Sequence, residues 1–270
     1  MIRKFICILI FALFAQVNTL SAGTTGSEEL TSSSSQDTAS ECFEGVSRAM
    51  FKLNHGLDKV IFEPVAKGYR ALPVPIRKAT GNFTDNLRSL LTLSNNILQG
   101  EFRRAGNNAA RFGINTTAGI LGFFDPATKL GFEDQGKEDF GQTLGRWGSG
   151  TGCYFVLPIL GPTTTRDAVG LVGNIFLDPV YQITHNTEID NGVVGNGNYS
   201  EHNYYYYRGT GAVDFRAKNI ESFDSLEENS IDLYASLKSL YLQNRKQKIL
   251  NSKSTIETQD DSDWEEIDSN

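Results

Sequence analysis

The chain has 270 residues, a mass of 29.8 kDa and a formal net charge of −7. That length holds one large domain or two small ones with a sizeable core, and the acidic balance argues against a nucleic-acid binder, which needs a basic face for phosphate. Three His and three Cys without closely spaced pairs exclude a Cys/His zinc framework.

Arg3 and Lys4 precede an apolar run from Phe5 to Ala15, and Leu20-Ser21-Ala22-Gly23 offers small residues to a peptidase. The pattern predicts a secretory signal peptide over residues 1–22, with an uncleaved anchor as the alternative. The run is shorter than the ~20 apolar residues of a spanning helix. Leu-Ser-Ala would also open a lipobox, but Gly23 stands where the acylated cysteine would be, so the expectation is an exported, non-acylated chain. Residues 23–40 are polar and predict a flexible linker. Residues 251–270 predict a disordered acidic tail. Between them, residues 41–250 predict one body without internal repeats. Once the signal is removed, Cys42 and Cys153 remain. A disulfide in an oxidising compartment and two free thiols both stay open, because sequence does not report the Cα separation.

Within the body the helical period dominates. Met50, Leu53, Leu57, Val60 and Ile61 share one helix face. Pro64 opens a short second helix carrying Val65, Tyr69 and Leu72, and Pro73 and Pro75 stop it. A long amphipathic helix follows from Ile76 to near Gly100, and another runs through Phe102, Ala105, Ala109 and Phe112. Ile120 to Pro126 is apolar on every side and then breaks, so it is either core or a segment that dips into a lipid interface. The apolar run Cys153 to Leu160 contains Pro158, which excludes a central strand. Thr164 and Asp167 resemble a capping box before a helix with Val169, Val172, Ile175 and Phe176. Residues 185–210, rich in Gly, Asn and Tyr, predict a surface insertion without regular structure. Val213 to Leu226 and Ile231 to Leu250 predict two terminal helices. The fold class is mainly α, with little or no sheet.

Enzyme chemistry is hard to assemble from these residues. Gly45-Val46-Ser47-Arg48-Ala49 departs from the nucleophile elbow at its last position and follows a linker rather than a strand; a helix N-cap is the expected role of Ser47. His55 is a lone histidine on an amphipathic helix. Gly195-Asn196-Gly197 lacks the third glycine of a dinucleotide loop, and no phosphate-binding P-loop exists. Glu133-Asp134 and Glu138-Asp139 have no companion His and are expected on a solvated face. No catalytic residue, metal or cofactor is expected. One charge feature stands out: between Lys59 and Arg111, nine cations face three acids. Arg70, Arg77, Lys78, Arg103 and Arg104 are the candidate basic surface, suited to anionic lipid headgroups or an acidic partner, or else an ordinary solvated face.

A longer series of motifs spans the body. Arg48-Ala49-Met50-Phe51, Asn54, Asp58, Pro64-Val65-Ala66, Tyr69 and Pro75-Ile76-Arg77 lead to Asn82-Phe83, Asn86-Leu87 and Leu98-Gln99-Gly100. Then come Arg111-Phe112, Asn115-Thr116-Thr117-Ala118-Gly119-Ile120, Gly122-Phe123-Phe124-Asp125-Pro126-Ala127, Phe140-Gly141-Gln142-Thr143-Leu144-Gly145, Trp147-Gly148, Tyr154, Leu157-Pro158, Gly161-Pro162, Arg166-Asp167 and Asp178-Pro179. The series resembles the VacJ/MlaA family of outer-membrane lipid-asymmetry proteins. The resemblance runs from about Glu41 to Tyr181 and resumes more weakly in the terminal helices. Asp232-Leu233-Tyr234 departs from the family's Asp-Pro-Tyr, and the tyrosine-rich insertion has no counterpart in the pattern.

The resemblance implies a ring-like arrangement of amphipathic helices in the inner leaflet of the outer membrane. Such a protein passes mislocalised phospholipid from the outer leaflet through a central channel to a periplasmic lipid-carrier protein, and associates with an outer-membrane porin. It is not an enzyme, and its chain needs no cofactor. Asn54, Asp58, Asn115, Thr116, Gly119, Gly122, Phe123 and Phe124 are the candidate lipid-path or membrane-contact residues. The alternative is a secreted or surface interaction protein, such as a spreading factor, on the same scaffold without lipid transfer. A lipid hydrolase would require an activated Ser47.

Overall fold

The computed structural model describes residues 39–185 and 201–250. The expected signal peptide, most of the linker, part of the insertion and the acidic tail lie outside the described residues. Helix α1 (Glu44–Leu57) runs through a π-helical turn (Asp58–Phe62) into α2 (Glu63–Arg70). Pro64 explains the wide turn. Its ring crowds the carbonyl four residues back and it brings no N–H, so an unbroken α-helix would clash and lose a hydrogen bond there. Helix α3 (Val74–Leu98) begins with Pro75 in its first turn. Gly100, at φ +75°, ends that run in the left-handed region before α4 (Phe102–Thr117), which packs along α3.

Short α5 (Pro126–Lys129) and α6 (Phe140–Arg146) start on aspartate caps. Asp125 accepts from the Thr128 N–H at 3.2 Å, and Asp139 from the Gln142 N–H at 3.0 Å. The apolar run then forms β1 (Tyr154–Leu157), which pairs antiparallel with β2 (Gly161–Thr164) in the register Tyr154 to Thr164 and Leu157 to Gly161. Pro162 sits in a sheet of only two strands, where its missing N–H costs little. Thr164 caps α7 (Thr165–Leu177), as the capping-box spacing predicts, by accepting from the Asp167 N–H at 3.3 Å. Helices α8 (Pro179–His185), α9 (Glu201–Lys218), α10 (Ile220–Asn229) and α11 (Leu233–Ile249) complete the body. Asp232 caps α11 through the Ala235 N–H at 3.2 Å, so the departure from Asp-Pro-Tyr loses no helix start.

The structure corrects two local expectations. Glu201 to Thr210, expected as irregular loop, is the first half of α9. Tyr204 packs edge-on against Tyr181 at 5.1 Å and its hydroxyl donates to Asp178 at 3.4 Å, so tertiary contacts override a loop-like composition. Ser47 is not a cap either: α1 starts three residues before it, and Ser47 is buried inside the helix.

Polarity is distributed in reverse. Among the described residues, buried polar side chains outnumber buried apolar ones by about two to one. Two small apolar clusters exist: Ala66, Ala217 and Ile220 beneath Tyr69, and Tyr154, Val156 and Tyr234 with Met50, Phe51 and Tyr241. Most large apolar residues of the helical stripes, including Leu53, Val60, Ile76, Phe102, Val172 and Phe176, are exposed. The hydrophobic period is real, but it faces outward.

Cys42 and Cys153 form a disulfide, with Cα atoms 5.6 Å apart and 111 residues apart in sequence. It ties the segment before α1 to the residue before β1. Closing a loop of that length stabilises a fold by about 3–5 kcal/mol, chiefly by restricting the unfolded chain. Cys42→Ser is expected to lower the unfolding free energy by about that amount in chemical denaturation, and reductant should leave the variant's midpoint unchanged.

Candidate functional site

Six of the eight candidate lipid-path residues lie in the last turn of α4 and the loop that follows it. Ile120, Leu121 and Gly122 follow one another at φ +52°, +58° and +91°. A left-handed β-branched isoleucine is strained by ~1–2 kcal/mol and needs strong support. The support is polar. The Leu121 and Gly122 N–H groups donate to the Thr116 and Asn115 carbonyls at 2.9 and 2.8 Å. From α3, Asn86 donates to the Thr116 hydroxyl at 2.9 Å and Asn82 to the Phe123 carbonyl at 3.2 Å. Buried Asn115 donates to Asp125 at 2.9 Å and accepts from the Ala127 N–H at 3.0 Å. A Cβ on Gly119 would collide with the Asn115 and Phe124 carbonyls, and one on Gly122 would lie 2.6 Å from the Asn86 side chain. Both glycines are therefore spacers. Phe123 stacks on Phe83 at 5.2 Å, while Ile120, Leu121 and Phe124 stand outside, each about 60 % exposed.

Asp125 braces the loop from below. Burial pushes its carboxyl up, but hydrogen bonds from Thr128 and Asn115 and the charge of Arg111 outweigh that and hold it below the usual range. Arg111 reaches it at 2.9 Å.

Asn54 belongs to a second tip. Its amide donates to the Leu157 carbonyl at 2.8 Å and accepts from the Ile159 N–H at 2.7 Å. It thereby pins the β1–β2 turn, where Ile159 at φ +66° and Leu160 stand nearly 70 % exposed. Asp58 sits in neither tip. It takes both ends of the Arg216 guanidinium at 2.9 and 2.8 Å, joining the π-helical turn to α9.

Two of the five residues of the candidate basic surface meet acids. Arg70 pairs with Glu221, and Arg104 approaches Glu138 at 3.8 Å and donates to the Gln135 carbonyl. Arg77 donates to the Leu72 carbonyl at 3.0 Å. Lys59 pairs with Glu63 and Glu227 at 3.1 and 2.8 Å. Acids from outside the segment meet Lys59, Arg70, Arg104 and Arg111. Arg103 lies exposed, and Lys78 half-buried beside Arg77, Lys218 and Asp214 in a small cavity of about 20 Å³.

The interior holds groups that sequence reasoning missed. Arg245 of α11 donates to Asp139 at 2.6 and 2.9 Å and to Asp167 at 2.7 and 3.0 Å. Tyr241 donates to Asp167 at 2.5 Å, and Arg166 lies 3.2 Å from the same carboxylate. Burial raises both aspartates, but the bonds and charge of Arg245 prevail and keep them ionised. Glu138, expected on a solvated face, is buried beneath Gln99 and Arg104, and burial pushes its carboxyl up. The apolar period alone did not signal them, because it does not show which face of a helix is turned outward. With the stripes exposed in the structure, the charges opposite them pair inside. Among the described residues no three His, Cys, Asp or Glu are placed to hold a metal ion, and no helix is long and apolar enough to cross a membrane.

Residues 39–248 match the family model described as MlaA lipoprotein. The chain belongs to the MlaA lipoprotein family. An intermembrane phospholipid transport system lipoprotein MlaA of Haemophilus influenzae is 32 % identical over 219 residues, covering 79 % of this chain and 80 % of that protein. The Escherichia coli K12 protein of the same description is 38 % identical over 143 residues, 52 % of this chain and 57 % of that one. An uncharacterised Rickettsia prowazekii protein is 38 % identical over 146 residues, covering 53 % of this chain. The match spans about three fifths of that relative's length. A solved structure, described as the structural basis for maintenance of bacterial outer membrane lipid asymmetry, superimposes with a TM-score of 0.66 at 28 % identity. It covers 78 % of this chain and 99 % of that one. The mainly helical architecture is thus that of MlaA. The Haemophilus influenzae and Escherichia coli proteins are described as lipoproteins, whereas Gly23 of this chain, the expected anchor position, lies outside the described residues.

Two predictions follow from the geometry of this MlaA scaffold. Gly122→Ala is expected to cost about 2–4 kcal/mol through left-handed strain and overpacking on Asn86, measured by denaturant unfolding. Hydrogen bonds and charge from Lys67 and Lys59 hold the Glu63 carboxyl down at about 2. A carboxyl depressed in the folded state stabilises above its unfolded value and loses that contribution as pH falls through the folded one. Between pH 4.5 and about 2, Glu63→Gln should therefore flatten the stability profile, which thermal melts across that range would show.

Proposed function

We propose that the protein is a non-enzymatic component of phospholipid transport at the outer membrane. It removes mislocalised phospholipid from the outer leaflet and hands it to a periplasmic carrier, with an outer-membrane porin as neighbour, and so maintains lipid asymmetry. One observation carries this reading: a scaffold of the MlaA family wears its large apolar side chains outside and its amides and charges inside. Helices satisfy their own backbone groups, so an apolar exterior can enter hydrocarbon without stranding polar atoms. The tips at Ile120, Leu121 and Phe124 and at Ile159 and Leu160 would enter first. The amide-rich interior offers hydrogen bonds to a headgroup while acyl chains stay against apolar surface. The disulfide suits an oxidising compartment, in keeping with an exported chain on the periplasmic side.

No bond-making step is assigned. Ser47 is buried within α1, and His55 stacks on Phe51 and faces Glu227 at 3.4 Å. The test is fractionation of cells with mass spectrometry of the mature N-terminus and of lipid bound to the purified protein. The expected result is an outer-membrane protein carrying phospholipid, with Leu121→Asp/Phe124→Asp shifting tenfold or more towards the soluble fraction, since each apolar side chain contributes about 1.5–3 kcal/mol. A soluble, lipid-free wild type would overturn the proposal and favour the secreted interaction protein.

A further inference from the structure

The bond between Cys42 and Cys153 lies near the surface: Cys42 is exposed and Cys153 half-buried. Most of what it joins is also held by other means. Helix α1 stays fixed to the β1–β2 turn through Asn54, at 2.8 and 2.7 Å. The π-helical turn stays fixed to α9 through Asp58 and Arg216, and β1 stays paired with β2. The part that depends on the disulfide is the short segment of residues 39–43 ahead of α1.

That segment fastens α11. The Tyr154 N–H donates to the Ser40 carbonyl at 2.9 Å, which lays the segment beside β1. Glu41, the next residue, accepts from the Tyr234 hydroxyl and the Lys238 ammonium of α11. Burial raises the Glu41 carboxyl, but the bonds from Lys238 and Tyr234 and the charges of Lys238 and Arg48 outweigh it and hold the carboxyl below its usual range. The Glu41 and Lys238 side chains are 16 and 23 % exposed. Arg48 also reaches this end of α11, at 2.9 Å from Asp232, but that pair is 39 and 43 % exposed. Exposed pairs contribute little, because water and salt screen them. Glu41 is thus the main polar fastening of the first turns of α11 among the described residues, and it adjoins Cys42. Further along, Arg245 grips Asp139 and Asp167. Tyr234, Lys238, Tyr241 and Arg245 follow at spacings of four, three and four, so one face of α11 carries both fastenings.

We propose that the Cys42–Cys153 disulfide is a site of reversible reduction and acts as a latch: a dithiol reductant opens it in the folded protein, and opening releases the Glu41 segment from the first half of α11 while Arg245 keeps the second half closed. This does not depend on the transport reading. A thiolate of the dithiol attacks the exposed Cys42 sulfur, forming a mixed disulfide and expelling Cys153 as a thiolate that takes up a proton. The second thiol of the reductant then attacks its own sulfur in the mixed disulfide. That step closes the reductant's disulfide and frees Cys42, which is protonated in turn. Two electrons pass from the reductant to the cysteine pair. With Cys42 free, residues 39–43 keep only their hydrogen bonds, and the effective concentration of the carboxylate at Tyr234 and Lys238 falls. The cluster of Tyr154, Val156 and Tyr234 beneath them then opens to water more often.

The full chain would be purified oxidised in detergent and treated with dithiothreitol without denaturant. Thiol alkylation would report the bond, and hydrogen exchange read by mass spectrometry would report the backbone. Reduction should go to completion with the helical circular dichroism unchanged, and reduced glutathione, as a monothiol probe, should add at Cys42 rather than Cys153. In the reduced protein, amides of residues 39–43 and 233–240 should exchange about tenfold or more faster, with α6, α7 and the second half of α11 unchanged. Reoxidation should restore the slow exchange. C42S/C153S should match the reduced protein and ignore dithiothreitol; should that variant not fold, the reduced wild type carries the comparison. E41Q should show the faster exchange in α11 with its disulfide intact. A bond that dithiothreitol reaches only in denaturant would overturn the latch. So would exchange that rises evenly through the fold, which is the mark of a global staple, or an α11 that exchanges at the same rate in the oxidised and reduced protein.

Discussion

Arg245 reaches from the last helix to carboxylates at two places in the chain, Asp139 ahead of α6 and Asp167 within α7. A protein with few buried apolar side chains cannot rely on a hydrophobic core, so links of this kind hold its helices in register. Each such link is conditional. A buried charge stabilises only while its partner is present, and removing one partner leaves the other stranded at a cost of about 3–5 kcal/mol. Tyr241 and Arg166 fill the remaining positions around Asp167. The Arg216 pair with Asp58 does the same between the π-helical turn and α9. Satisfaction of the polar groups, more than burial of apolar area, is the constraint on this fold.

That constraint explains the strained tips. A run of left-handed backbone at Ile120 and Leu121 would relax if nothing opposed it. Asn82, Asn86 and Asn115 oppose it with hydrogen bonds drawn from α3 and α4. Asn54 does so for Ile159. Asparagine suits the task because one side chain can donate and accept at once. The strain lifts apolar side chains clear of the surface, which is where unusual backbone most often serves function. Most of the residues expected to touch lipid thus play one of two parts. Phe124 is presented outward, whereas Asn54, Asn115, Thr116, Gly119 and Gly122 hold the presenting loops.

Much of the helix layout was legible because proline and glycine punctuate it. Pro64, Pro73, Pro75 and Gly100 act locally, through missing donors and allowed dihedrals, and so mark boundaries wherever they fall. The ordered motifs then pointed to the family. The direction of each stripe was not legible. A period of three to four residues shows that a helix has two faces and not which one meets solvent; Val60, Ile76 and Phe176 look alike in either case. Pairings across the chain were hidden for a different reason. Arg245 and Asp139 are 106 residues apart, and no local pattern links them, so Glu138-Asp139 looked like a solvated acidic pair. Tyrosines 204–207 suggested a loop because their helix depends on Asp178 and Tyr181, which lie outside any local window.

The same logic accounts for how the helices approach one another. With few large apolar side chains buried between them, the helices are joined more by close approach and hydrogen bonds than by apolar contact. Gly170 of α7 meets the backbone of α6 so closely that a Cβ would lie 2.5 Å from the Gly141 nitrogen. Gly141 in turn leaves room for Asp167 and Arg245, whose atoms would lie 2.6 and 2.7 Å from its own Cβ. A side chain at either position would part α6 from α7 and pull the two aspartates off the arginine. Small residues and buried charges are therefore one device: the glycines bring the helices close enough for a single guanidinium to span them. The apolar side chains, freed from holding the interior together, are left to face outward.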